Sequence, residues 1–222
     1  MASTKTATYY HVSPRRKSLL DGLSGTVIHD HWKSYFNLLG VEHGLCNQHH
    51  LRELKSIIEH EKEPWATAMT RILKVALRCR HFHGYNAIPA SRIMRLTKIY
   101  DKIIKHGLAF HEAQTPVPCK GKRGREPRRT GHNLLLRLFH YKQDVLRFLH
   151  DPAVPFTNND AERDLRMMKC KQKISGGFRS TRGAEQFARI RGFISTIRKQ
   201  GFNVLSSIQS VFSGNMLITA GY

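Results

Sequence analysis

The stretch GTVIHD, Gly25 to Asp30, decides the class of fold. Thr26, Val27 and Ile28 are three β-branched residues in a row, the composition of a short buried strand, and the run ends on a carboxylate. A strand of this kind delivers its terminal acid to the rim of a sheet. Upstream, TATYYHV, Thr6 to Val12, mixes β-branched and aromatic residues and reads as another strand.

Downstream the period becomes helical. Leu51 to His60 reads as one helix and Trp65 to Cys79 as the next, with Met69, Ile72, Val75, Ala76 and Cys79 on one face. Pro89 and Ser91 start another, in which Ile93, Leu96, Tyr100 and Ile103 keep the same rhythm. Leu134 to Leu149 reads as a single amphipathic helix with Leu135, Leu138, Val145, Leu146 and Leu149 on one side, ended by Asp151 and Pro152. Helices follow at about Asn159 to Lys171 and Gly183 to Lys199, with a short one near Val204 to Phe212. There is no internal repeat. The expected class is α/β and α-rich.

Charge narrows the function. The chain has 222 residues, 40% of them hydrophobic, enough for a real core, and its 37 Lys and Arg against 16 Asp and Glu give a formal charge of +21. Cations spread along the whole length favour a polyanion partner, nucleic acid first. The densest run lies in the Pro- and Gly-broken segment Gln114 to Asn133, where Lys120, Lys122, Arg123, Arg125, Arg128 and Arg129 are expected to contact phosphates collectively. No apolar run approaches the roughly 20 residues of a spanning helix. The N-terminus lacks the apolar core of a secretory signal, and Cys46, Cys79, Cys119 and Cys170 are too far apart to read as a disulfide framework. Cytoplasm, or the nucleoid of a bacterium, is the expected compartment.

Acids are scarce, so PFTNNDAERDLRMMKCKQKISGGF, Pro155 to Phe178, stands out. Thr157, Asn158 or Asn159 is a good helix cap, and acids in the following turn suit the helix dipole. That does not explain why Arg163, Arg166, Lys169, Lys171 and Lys173 crowd the same helix. Glu162 among them is either a salt-bridged surface residue or a ligand for a divalent metal beside a phosphate-binding face. Cys46 and His49 have metal-ligand spacing, but one Cys-x-x-His is half a zinc site and reads first as packing and hydrogen bonding. His29 and His31 flank Asp30, which would put them at the rim of a metal site there, though strand alternation predicts that they point away from it. GKRGR is not a phosphate-binding P-loop, and no Ser-His-Asp order stands out.

The order SGTVIHDHWKSY, LCNQHHLREL, a long helical stretch, and then FLHDPAVPFTNNDAERDLRMMKCKQKISGGFRSTRGAEQFARIRGFISTIRKQG resembles the catalytic domain of bacterial insertion-sequence transposases of the sixty-six group. The resemblance runs from about Tyr10 to the C-terminus. Asp30, Cys46 and His49 match that family's second triad Asp and its Cys-x-x-His segment. Asn158, Asn159, Glu162 and Arg163 match its Asn-Asn-x-x-Glu-Arg helix, and Arg166, Lys171, Ser175, Gly183 and Ala184 its downstream residues.

The resemblance implies a ribonuclease-H-like fold of the acidic-triad class, with Asp30 and Glu162 as catalytic metal ligands of a two-Mg2+ site. It implies transposon-end DNA as partner, with Arg163, Arg166 and Lys171 on phosphates. Action as an oligomer and with other proteins of the same element also follows from it. The family's first triad Asp has no counterpart among these residues. The expectation is therefore a partial, N-terminally truncated domain, inactive alone: residues 1–50 the start of the core, 51–150 a helical insert, 151–222 the helices bearing the catalytic Glu. The rival reading is a non-catalytic nucleic-acid-binding protein.

Overall fold

The computed structural model describes residues 1–13, 22–118 and 127–215. Its elements in chain order are β1 (Ala2–Ser3), β2 (Thr8–Tyr9), β3 (Gly25–His29), a 3₁₀ turn (Lys33–Asn37), β4 (Val41–Leu45), α1 (Asn47–His60), α2 (Pro64–His83), α3 (Ala90–Glu112), α4 (Thr130–His140), α5 (Lys142–His150), α6 (Asn159–Ser175), α7 (Thr181–Lys199) and α8 (Val204–Phe212). The chain is α-rich α/β, as its periodicity indicates. Packing groups it into two compact units, Leu23–Asn158 and a second made of Met1–Gly22 with Asn159–Tyr222. These units follow packing, whereas the three-segment division read from the sequence follows chain order.

In the unit 23–158, β3 and β4 pair in parallel, with Gly25 opposite Val41 and His29 opposite Leu45. The strand β4 has no sequence signature, because VEHGL contains a Glu, a His and a Gly. Gly44 sits opposite Ile28, and a Cβ there would collide with Ile28 Cδ1. The glycine that hides the strand is what lets the branched residue across from it pack.

Five helices then build the core. Leu54 and Ile57 of α1, Met69 and Leu73 of α2, Tyr100 of α3, Leu134, Leu135 and Leu138 of α4 and Phe148 and Leu149 of α5 are all buried together. Buried polar groups in this core are bonded where the backbone needs them: Tyr100 Oη donates to Leu138 O (2.8 Å), and Asn47 Nδ2 donates to Val145 O (2.9 Å). At Gly107 a Cβ would stand 3.1 Å from Trp65 Cγ and 2.8 Å from Leu135 Cδ2, so α3 runs close against α2 and α4. The sequence reads Leu134 to Leu149 as one helix, but Tyr141 (φ −108°, ψ 28°) breaks it. Its ring lies 4.5 Å from that of His31 and 4.6 Å from that of Phe36, contacts that a continuous helix would have to give up.

The second unit is held differently. Helix α6 has no buried residue. Instead the Asp164 carboxylate accepts from Ser3 Oγ (2.7 Å), Thr8 Oγ1 (2.9 Å), Ser195 Oγ (2.8 Å) and Lys199 Nζ (2.8 Å), while its carbonyl accepts from Tyr10 Oη (2.6 Å). One side chain thus ties α6 to the β1–β2 hairpin and to α7. Burial alone would raise the Asp164 pKa, but the hydrogen bonds from Lys199, Ser3, Ser195 and Thr8 outweigh it and bring it down to about 2. Gly192 lets α7 approach the hairpin, since a Cβ there would be 3.1 Å from Thr8 O. Ser180 Oγ caps α7 through Gly183 N, and Asn203 Oδ1 caps α8 through Ser206 N.

Asp164→Ala is expected to cost about 3–5 kcal/mol, because Lys199 is left largely buried without its counter-charge. The loss should appear as a lower urea midpoint and as faster amide exchange along α6. A midpoint equal to that of the parent would show that the hub does not hold the unit. Because the Asp164 pKa is depressed, its stabilisation is full above the ordinary value of 3.8 and is lost as pH falls through that value toward 2.

Candidate functional site

The parallel register has a chemical consequence. His29 opposite Leu45 makes the next residues, Asp30 and Cys46, leave the sheet side by side at the carboxyl ends of both strands. That end of a parallel pair is where α/β folds bind ligands. A cleft of ≈ 270 Å³ opens there, lined by His29, Asp30, His31, Trp32, Leu45, Cys46, His49, His50, Glu53 and Arg137.

Asp30 is exposed at the rim, and its Oδ1 accepts the Trp32 N–H (3.1 Å), a turn that fixes the carboxylate just past the strand. Cys46 is buried at the N-terminus of α1; its N–H donates to His29 O (3.0 Å) and its Sγ accepts from Asn158 N (3.2 Å). The Cys46 Sγ and a ring nitrogen of His49 lie within 4.8 Å of one another. The sequence-predicted Asp30, Cys46 and His49 therefore share one cleft, and Asn158 touches it through its backbone.

Trp32, Leu45, His50, Glu53 and Arg137 in the lining were not anticipated. Alternation predicts that His29 and His31 face away from Asp30, yet both line the same cleft. The strand ends at His29, so the two-residue period does not extend to His31. His29 Nδ1 donates to the Asp30 carbonyl, which can only accept, so His29 Nε2 accepts a hydrogen bond from His43 Nδ1 at 3.1 Å. His50 Nδ1 faces Asn47 Oδ1 at 3.2 Å, an oxygen whose identity is set by the Asn47 amide donating to Val145 O, so the lone pair of His50 lies on Nε2. Glu53 pairs with Arg137. Glu53 and Arg137 carry no sequence signal, since they lie 84 residues apart on different helices.

Burial favours the neutral imidazole at His29, His31 and His50. Desolvation first, then the Arg137 and His29 charges, lower the His31 pKa to about 4, and desolvation followed by Arg137 lowers that of His50 to about 3. Away from the cleft, His111 is also held at about 4, mainly by burial, with its Nε2 3.3 Å from Glu63 Oε2.

Glu162 lies on α6 in the other unit, in its first turn and exposed, with Arg163 and Arg166 exposed beside it. Arg163 lies 3.7 Å from Asp160, and Lys171 Nζ donates to Ser175 Oγ (3.0 Å). Asn159 is the first residue of α6. Arg129 Nη1 donates to Thr115 O (3.1 Å), which closes the base of the basic segment, and Arg128 is exposed next to it. Lys120, Lys122, Arg123 and Arg125 lie outside the described residues. No helix among the described residues is long and apolar enough to cross a membrane.

A family model described as the IS66 transposase family matches residues 1–186. An uncharacterized protein, y4jO, from Sinorhizobium fredii (strain NBRC 101917 / NGR234) is 37% identical over 79 residues, which is 34% of this chain and 25% of that protein. The match thus spans about a quarter of the length of that curated relative. No solved structure matches.

The depressed values of His31, His50 and His111 set an acid limit. Each folded value lies below the ordinary 6.5, so the unfolded chain takes up protons first and stability falls as pH drops through 6.5 toward 4 and then 3. Urea midpoints measured between pH 7.5 and 4 should fall continuously. His31→Phe should reduce the slope by up to about one proton over that window. A slope unchanged in that variant would show that His31 does not contribute.

Proposed function

Because the chain belongs to the IS66 transposase family, we propose that it carries part of the catalytic apparatus of a metal-dependent DNA strand transferase, with β3 and β4 as strands of a ribonuclease-H-like sheet. The observation that supports this reading is the position of Asp30, exposed at the carboxyl end of a parallel strand pair beside a cleft. A divalent ion such as Mg2+, when bound, supplies Lewis acidity toward a phosphodiester and lowers the pKa of water. Asp30, an oxygen donor at the cleft rim, fits such an ion, and so does Glu162 on the exposed face of α6.

In this reading Asp30 and Glu162 are two acids of the triad, the third having no counterpart assigned in this sequence. Arg163, Arg166 and Lys171 hold DNA phosphates along α6, and Arg128 and Arg129 hold them at the base of the basic segment, joined by Lys120, Lys122, Arg123 and Arg125. The DNA is that of the transposon ends. Assembly with further copies and with other proteins of the element, in the bacterial cytoplasm, completes the reading.

In a Mg2+-dependent cleavage reaction on transposon-end DNA, Asp30→Asn and Glu162→Gln should each lower the rate by about 10²–10³-fold at unchanged DNA affinity. Cleavage that survives either change removes that residue from the site. Arg163→Ala and Arg166→Ala should each lower the salt slope of DNA binding by about 1. Salt-dependent binding with no cleavage in any reconstitution would favour the rival, a non-catalytic nucleic-acid-binding protein.

A further inference from the structure

The cleft beside Asp30 is not built like a site for a hard cation alone. Magnesium binds oxygen, but five of the ten lining residues offer nitrogen or sulfur: His29, His31, Cys46, His49 and His50. Its two carboxylates are Asp30 and Glu53, and Glu53 is already paired with Arg137. His29 is committed through both ring nitrogens, to the Asp30 carbonyl and to His43.

The geometry of the others is that of a metal wall. Cys46 and His49 lie across the first turn of α1 with their ligand atoms within 4.8 Å of one another, close enough for one ion to draw together through bonds of about 2.3 Å to sulfur and about 2.0 Å to nitrogen. The Cys46 Sγ accepts an N–H from Asn158, the kind of outer bond that stabilises a thiolate ligand. His31 lines the same cleft, and its Nδ1 is buried without a hydrogen-bond partner.

We propose that Cys46 and His49, in the cleft that Asp30 and His31 also line, form a binding site for a borderline transition-metal ion of the Zn2+ or Co2+ class, selective against Mg2+. Thiolate and imidazole prefer such ions, and a partly open coordination sphere leaves room for a water or a phosphate oxygen. The inference shares the cleft beside Asp30 with the reading above, but its test reads a thiolate band and not cleavage, so the two are separable.

The test is spectroscopic and needs no DNA. Co2+ titrated into the reduced, metal-free chain should give a thiolate-to-cobalt charge-transfer band with one ion per chain. Zn2+ should abolish the band and a large excess of Mg2+ should leave it. Cys46→Ser should remove the band, and His49→Ala should weaken Co2+ binding by at least about 100-fold. Cys170→Ser should leave the band intact. Circular dichroism shows whether each variant is folded; if Cys46→Ser is not, the band and the Zn2+ and Mg2+ competition in the unmodified chain decide. Absence of a thiolate band there, its displacement by Mg2+, its survival in folded Cys46→Ser or its loss in Cys170→Ser would overturn the proposal. An intact band in a chain whose Glu162→Gln variant still cleaves DNA would leave this site standing and remove Glu162.

Discussion

The parallel pairing of β3 with β4 is the constraint on which the cleft depends. Its register offsets partners by 16 positions, as His29 opposite Leu45 shows, and the same offset carries on to Asp30 and Cys46. A slip of one residue would send each side chain of a strand to the opposite face. It would part the carboxylate from the thiol and turn His29 away from His43. The pairing is secured from both sides: Ile28 fills the space that Gly44 leaves, and Cys46 N donates back to His29 O at 3.0 Å. Parallel strands require a crossover, here the short run from 30 to 40 with its 3₁₀ turn, which sets Phe36 edge-on and Tyr35 tilted against the His29 ring.

The two units solve the same problem by different means. The helices of 23–158 bury Leu, Ile, Met and Phe against one another. In the other unit α6 contributes nothing buried, and its attachment rests on a carboxylate with four side-chain donors. Such an arrangement is directional where apolar packing is not. Asp164 and Glu162 are two residues apart, about 200° around a helix, so fixing Asp164 toward the hairpin turns Glu162 and its flanking arginines outward.

Much of this was legible beforehand. The strand at Gly25 and the helical faces follow from local composition and periodicity, which the order of residues contains. Asp30 stood out because an acid ends an apolar strand in a chain short of acids. The strand at Val41 was not legible, because its Gly and Glu lower β propensity and only Ile28 across the pair gives the glycine a purpose. The break at Tyr141 was hidden for a similar reason. Leu138 and Val145 keep the helical rhythm on both sides, while the ring contacts that favour the break come from His31 and Phe36, more than a hundred residues earlier.

By itself the sequence determined a basic, helix-rich α/β chain with an acid at a strand end, a Cys-x-x-His pair and a cation-flanked Glu162, and its family resemblance. Each of those is a matter of composition, period or spacing within one element. Only the tertiary structure decided that Asp30, Cys46, His31, His49 and His50 line one cleft, that Arg137 holds Glu53 there, and that Asp164 rather than an apolar face anchors α6. These depend on strand register and helix packing between residues far apart in the chain, where the energy comes from contacts that no local pattern records.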